Sequence, residues 1–436
     1  MARILTQPFT RGLIVEAPHA SLDAHLAEVG MSVTRLDRVP DEAALIKALR
    51  DSGAQVLFKR SRVPVTRAVV EACPDLFAVQ LCCIGDDSVD KQATADHGIM
   101  VFNDPVSNGR SVVELAVGHL IALSRRLYET HEQMRRSEWN KTASGRYEIA
   151  GKRLGLVGLG NIGRQVARRC QELGMYIRFY DNRMVAQEVG QELGWERCGT
   201  LEELFRTSDA VTVHTSARDA QGHDNADMLD DVLGLLAADR GDNSPRIYLN
   251  LARGNLHHSE SLLAAVRSGA IRRAAIDVFP EEPAPGAAKW QNPYADEPRI
   301  VCTPHVGAAT QEAQPRIARR VSTTIGAFSL NGSMRDCVYD SRAQLGGSVP
   351  DGAGAALAVV HSTRRGTKKA VDDAIFAAGA SNLGSAHRDF SLGAAYDLSF
   401  LDRPLAHDEL SQLVVQASEL SGDPDAIRTI RQIELA

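Results

Sequence analysis

Several things are missing from this chain, and each absence narrows what it can be. No run of about 18 consecutive apolar residues occurs, so no bilayer-spanning helix is expected. The first residues, MARILTQPFTRG, lack the apolar core of a secretion signal. There is no basic block and the net charge is −6, which argues against nucleic acid or an anionic membrane as a partner. The seven cysteines are odd in number and scattered, with Cys82 and Cys83 adjacent in an apolar run. That suits reduced, buried thiols in a cytoplasmic protein better than disulfides or a metal site. Neither an internal repeat nor a low-complexity tract is present. What is there is a chain of 436 residues, 44% apolar, enough for large cores in about three domains.

The rest is organised around Gly151–Asp181, GKRLGLVGLGNIGRQVARRCQELGMYIRFYD. Leu154–Val157 is a short apolar run, and Gly158-Leu159-Gly160-Asn161-Ile162-Gly163 follows at once. Val166, Ala167, Cys170 and Leu173 recur at helical spacing, and Ile177–Tyr180 reads as a second strand ending on Asp181. Strand, glycine loop, helix, strand and acid in that order are the signature of a dinucleotide fold. Gly158 permits the tight turn, Gly160 lets backbone approach a pyrophosphate, and Gly163 packs helix on strand. Free N–H groups at the helix start favour the phosphates. Asp181 is placed to accept hydrogen bonds from an adenosine ribose, favouring NAD over NADP, and Arg183 is close enough to soften that preference.

Upstream, residues 1–107 alternate strand candidates (Arg3–Leu5, Ser32–Leu36, Gln55–Lys59, Phe77–Leu81, Ile99–Phe102) with helical stretches, which predicts a parallel sheet under helices. Ser111 with Glu114 reads as a capping box opening one long helix from Val112 to Arg135. Downstream, Ala210–Val213, Ile247–Leu249, Ala274–Ile276 and Ile300–Cys302 continue the sheet, with a helix-like MLDDVLGLLAAD among them. After a helix over Gln311–Ser329, residues 335–354 read as a linker. Residues 355–436 then read strand, helix, two strands, helix, strand, a βαββαβ unit.

Three stretches set polar groups just beyond strand ends: Arg253 in NLARGNL, Asp277 and Glu282 in AIDVFPEEP, His305 in TPHVGAAT. In open α/β sheets the ligand crevice lies at those carboxyl ends. Histidine passes protons near neutral pH. A neighbouring carboxylate favours the imidazolium, and an arginine can grip a carboxylate through paired hydrogen bonds. Singly, each could be structural or part of a surface ion pair. As an ordered trio behind a dinucleotide fingerprint they suit hydride exchange with a 2-oxo acid.

With GLGNIGRQVA, these motifs make residues 1–330 resemble the D-isomer-specific 2-hydroxyacid dehydrogenase family. The resemblance implies a Rossmann-type NAD domain over 108–301. It also implies a flavodoxin-like substrate domain formed by 1–107 and 302–334. Arg253 would bind substrate and approach the nicotinamide, His305 would be the acid/base, and Glu282 would orient and charge it. Asp277 would hold the nicotinamide amide. Asn161, Ile162, Asp181, Leu251, Ala252, Arg253, His305, Val306, Gly307 and Ala308 would line the cofactor. Lys59-Arg60-Ser61-Arg62, Asn108 and Lys141 resemble positions that meet substrate or its phosphate in members acting on 3-phospho-D-glycerate. Guanidinium and ammonium groups suit such an acid. Ile84 and Gly85 belong to a loop whose amides could meet the substrate carboxylate.

The expected reaction is NAD-dependent oxidation of 3-phospho-D-glycerate to 3-phosphohydroxypyruvate, opening L-serine biosynthesis. Hydroxypyruvate or glyoxylate reduction is the alternative, and an NAD-sensing binding protein of the same fold is a second. One departure touches the cofactor: a long segment from Thr215 to Pro245 follows Val213-His214, where the family usually has a short loop. The C-terminal unit resembles an ACT regulatory domain. That implies a homo-oligomer, dimer or tetramer, with L-serine the candidate effector at His361, Thr363 and Asn382. Threonine stands at 363 where the family commonly has asparagine, and Arg365 where it has proline.

Overall fold

A computed structural model describes residues 2–36, 39–218, 224–283, 290–340, 344–346 and 348–435. Strand β1 is Arg3–Leu5, β2 Arg11–Ile14, β3 Ser32–Arg35, β4 Val56–Lys59, β5 Ala78–Leu81 and β6 Met100–Phe102. The last five form one parallel sheet ordered β3-β2-β4-β5-β6, the flavodoxin-like arrangement. Side-chain caps start its helices: Asp41 accepts from Ala44 N, Thr66 from Val69 N and Asp90 from Ala93 N. Two expectations fail here. Arg11–Ile14, absent from the strand candidates, is a strand, and Gly12 packs it closely on its neighbours: a Cβ there would lie 3.0 Å from the Phe58 ring. Arg3–Leu5 is a strand of a different sheet, pairing in parallel with the last strand of the chain.

The central unit spans 108–313. The expected single helix is two, Gly109–Arg125 and Leu127–Arg135, because Arg126 adopts φ 58° between them. The expected capping box is also absent. Asn108 sits at the N-cap, Glu114 pairs with Arg110, and the Ser111 hydroxyl bonds Thr310. Seven parallel strands follow: β7 Arg153–Val157, β8 Tyr176–Tyr180, β9 Glu196–Arg197, β10 Ala210–Val213, β11 Ile247–Asn250, β12 Arg273–Ile276 and β13 Ile300–Cys302. Their order, β13-β12-β11-β10-β7-β8-β9, reverses direction between β7 and β10. Such a reversal opens a crevice at the strands' carboxyl ends. The MLDDVLGLLAAD stretch is helical only over Asp230–Leu233, and Ala237 at φ 57° ends the run.

The other unit joins residues 1–107 to 314–436. After helix Ala313–Asn331 come β14 Ala355–Ser362, β15 Asn382–Asp389, β16 Ala394–Leu401 and β17 Ile427–Glu434, with helices Thr367–Ala377 and His407–Ser421 between them. The sheet order is β1-β17-β14-β16-β15. One face buries Leu357, Val359 and Ile430 with Val371 and Leu413 of the helices. The other buries Tyr396, Phe400 and Ile433 in the same core as Phe9, Phe102 and Phe328. Buried Arg431 stacks 4.0 Å over Phe9 and 4.4 Å over Phe328. The terminal sheet therefore shares a core with the first sheet and does not hang free on the 335–354 segment. Among the described residues no helix is long and apolar enough to cross a membrane.

Candidate active site

The glycine loop is built as its spacing demands. Gly158 sits at φ 90°, and a Cβ there would meet the His214 carbonyl oxygen at 2.7 Å. A Cβ on Gly163 would lie 2.2 Å from Gly158 O, so neither position tolerates a side chain. Gly160 caps helix Asn161–Glu172 without a side-chain bond, and its missing Cβ would meet only Arg183 Nη2, at 3.8 Å. A cradle with this access suits a pyrophosphate, so the residues present fit a dinucleotide. Contact between Gly158 and His214 also joins the start of the long 215–245 segment to the loop. Residues 219–223 of that segment lie outside the described residues.

Asp181 is buried and already occupied. Its carboxylate accepts from Leu159 N at 2.8 Å and Arg183 N at 2.9 Å, and from the Arg183 guanidinium at 2.9 and 2.6 Å. Burial pushes this carboxyl up, but the Arg183 fork and the two backbone N–H groups hold it below the usual range. A ribose would have to displace Arg183, a competition that the sequence reading understated.

Arg253, Glu282 and His305 come from the loops after β11, β12 and β13. Gly254 brings the first two loops together, since a Cβ there would overlap Phe279 C at 2.0 Å. Buried Asn250 shapes the first loop: Oδ1 accepts from Ala252 N at 3.0 Å and Nδ2 donates to Arg253 O at 2.9 Å. This residue was not singled out from the sequence; its signal was an amide ending an apolar strand. His305 Nδ1 lies 2.8 and 2.9 Å from the two Glu282 oxygens. Burial raises the Glu282 carboxyl, yet its bonds to His305 and the nearby Arg253 charge leave it below the usual carboxylate range.

Asp277 shapes the turn that follows β13. Oδ1 accepts from Thr303 Oγ1 at 2.5 Å and Val306 N at 2.9 Å, and Oδ2 from Gly307 N at 2.8 Å. It ties down the turn on which His305 sits at φ 53°. Thr303 is a second contributor that the sequence reading missed. Ile162 lies in the first turn of helix Asn161–Glu172, and Leu251, Ala252, Val306, Gly307 and Ala308 lie on the loops after β11 and β13.

Other expected site residues are placed variously. In this central unit, Asn108 is buried with no partner for Oδ1, and Lys141 is exposed beside Trp139. In the other unit, Ser61 and Arg62 are exposed and Arg60 is partly buried after β4. Lys59 turns inward, its ammonium donating to Arg60 O at 2.6 Å and Ser88 Oγ at 2.7 Å, so it leaves the basic cluster. Glu16, at φ 64°, accepts from the N–H groups of Arg62 and Val63 and pins that turn. Asn103 donates to Ile84 O at 2.7 Å, and Cys83 Sγ to Gly85 O at 3.3 Å, fixing the loop there. In the terminal sheet His361 is buried and both ring nitrogens are engaged, while Thr363 and Asn382 are exposed. His361 lies opposite Ala395 of β16 and Asn382 opposite Leu401. At about 3.3 Å per residue that separates them by roughly 20 Å.

Fold, glycine cradle and loop trio together define an NAD-dependent oxidoreductase. Residues 117–307 match the NAD binding domain of the D-isomer specific 2-hydroxyacid dehydrogenases. The chain belongs to that family and is an NAD-dependent D-2-hydroxyacid dehydrogenase. Among its relatives, the D-3-phosphoglycerate dehydrogenase of Escherichia coli (strain K12) is 31% identical over 95% of this chain and 96% of its own length. The enzyme of that name from Haemophilus influenzae is 34% identical over 74% of this chain and 75% of its own. A solved protein of Thermus thermophilus superposes with TM-score 0.61 at 28% identity, covering 73% of this chain and 96% of that one.

Proposed function

We propose that the enzyme oxidises 3-phospho-D-glycerate to 3-phosphohydroxypyruvate, feeding L-serine synthesis, and runs the reverse reduction in vitro. The Glu282–His305 pair with Arg253 alongside carries the chemistry. Near-full-length similarity to the Escherichia coli enzyme supports the substrate. When bound, the nicotinamide supplies or accepts the hydride. Gly158, Gly160, Asn161, Ile162, Gly163 and Asp181 would hold the dinucleotide, with Leu251, Ala252, Asp277 and 305–308 around the ring. In the oxidative direction His305 removes the hydroxyl proton through Nε2, since Nδ1 is held by Glu282; in reduction it returns that proton to the carbonyl oxygen. Arg253 grips the substrate carboxylate. Arg60, Ser61, Arg62, Ile84, Gly85, Asn108 and Lys141 are the proposed substrate contacts, the two arginines for the phosphate.

The ACT-like C-terminal sheet is proposed to serve assembly into a dimer or tetramer through its β15 edge, with L-serine as effector. A small amino acid cannot span His361 and Asn382 of one chain, so such a site needs two copies. The substrate assignment is tested by Arg60→Ala. Losing a charge-assisted hydrogen bond costs about 1.5–3 kcal/mol. Reduction of phosphohydroxypyruvate should therefore fall roughly 10–150-fold in kcat/KM while hydroxypyruvate is little affected. Equal losses would remove Arg60 from the phosphate site.

A further inference from the structure

The terminal sheet holds a side-chain cluster that the dehydrogenase reaction does not use. His361 of β14, Asp397 of β16 and His387 of β15 lie on three neighbouring strands. Alternation puts Val359 and His361 on one face; Val359 lies opposite Asp397, and Asp397 opposite His387, so all three share that face. One ligand atom from each falls within 4.8 Å of the others. His361 Nε2 is 2.9 Å from Asp397 Oδ2, and His387 Nδ1 is 2.8 Å from Asp397 Oδ1. The two imidazole rings stack with centroids 5.7 Å apart.

The outer bonds of both rings decide what the inner nitrogens want. His361 Nδ1 lies 2.7 Å from Ser362 O, which can only accept, so Nδ1 carries the hydrogen. In a neutral ring the lone pair is then on Nε2 and faces a carboxylate. His387 repeats the pattern: Nε2 lies 3.1 Å from Asp389 Oδ1 and Nδ1 faces Asp397. Two ring nitrogens therefore converge on one buried carboxylate, contacts that protons on the rings or a single shared cation would satisfy. A ring whose far N–H is held by a carbonyl or carboxylate is also how metal-ligating histidines are oriented.

We propose that His361, His387 and Asp397 bind one divalent transition-metal ion, zinc foremost, with water completing the coordination. Zinc takes nitrogen and carboxylate oxygen at about 2.0–2.2 Å, so tetrahedral ligand atoms stand about 3.4 Å apart. The His387–Asp397 contact, 2.8 Å here, must therefore open by about half an ångström, which His387 on the edge strand allows. His387 is 33% exposed and gives the ion its entry, while His361 and Asp397 are each 2% exposed. A nearby competitor is Lys368, whose ammonium lies 3.6 Å from Asp397 Oδ1 and 2.5 Å from Asp372, where it can remain when the ion enters. Bound metal would pin strand β15 to its neighbours and withdraw His361 from any effector.

The test is equilibrium dialysis of the full-length protein against zinc chloride, with cobalt(II) absorption reporting ligand type. One equivalent per chain is expected, with a spectrum of nitrogen and oxygen ligands. His387→Ala, on an exposed edge strand, should weaken binding at least about tenfold, since even loss of an outer-shell partner costs that much. Lys368→Met should tighten it by removing the competing charge, an effect that a purely structural cluster would not give. No saturable binding in either wild type or Lys368→Met would overturn the proposal. Affinity unchanged in His387→Ala would overturn it too, placing the ion elsewhere, for example at Asp227, Asp230 and His258.

Discussion

Asp277→Asn separates what holds the active-site turn from what does the chemistry. The carboxylate accepts three bonds, two of them from the backbone N–H groups of Val306 and Gly307. Asparagine keeps one acceptor oxygen and turns an NH2 toward a buried N–H. A charge-assisted bond worth about 1.5–3 kcal/mol is lost, and a donor in a partly buried turn is left without its acceptor. A local cost of about 2–4 kcal/mol follows, of which 2 alone corresponds to roughly 30-fold in an equilibrium constant. Amide hydrogen exchange at Val306 and Gly307 should accelerate by at least that factor, reporting local opening of the turn. Turnover should drop on the order of 10²-fold as His305 loses its position. Unchanged exchange at both amides would refute the assignment of Asp277 as the anchor of this turn, whatever happened to activity.

The chemistry itself is addressed by two substitutions: His305→Ala should cut turnover roughly 10²–10⁴-fold while NADH titration still shows binding. Glu282→Gln removes the anion that favours a protonated His305, so the alkaline limb of the reductive reaction should move to lower pH. An unmoved limb would mean that Glu282 does not tune the proton donor. Arg183→Ala frees the Asp181 carboxylate for ribose, so the preference for NAD over NADP, read as a ratio of kcat/KM, should widen; a narrowed ratio would show that the Asp181–Arg183 pair does not govern the pocket.

The glycine loop and the strand ends were legible because each depends on residues close together in the chain, whereas Arg253, Glu282 and His305 were read from the order of three separate motifs, of which the structure sets Glu282 against His305. What escaped depends on distant partners. Whether Arg3–Leu5 or Arg11–Ile14 enters the first sheet is decided by Thr429–Arg431, at the far end of the chain. Lys59 reads as part of a basic turn until Ser88 and Arg60 O draw it inward. Asp181 and Arg183 were seen as neighbours, but the fork between them needs the turn's geometry. Asn250 and Asp277 act by holding backbone, a role that a side chain's identity alone does not announce. Nor does the spacing of His361, His387 and Asp397 reveal that three strands set them side by side.

The proposed preference for a phosphorylated hydroxy acid is tested most directly by steady-state NADH oxidation with 3-phosphohydroxypyruvate, hydroxypyruvate and glyoxylate on the same preparation. With one charge-assisted phosphate contact worth about 1.5–3 kcal/mol, kcat/KM for the phosphorylated acid should exceed the other two by at least about tenfold. Equal or higher kcat/KM with hydroxypyruvate or glyoxylate would contradict the claim.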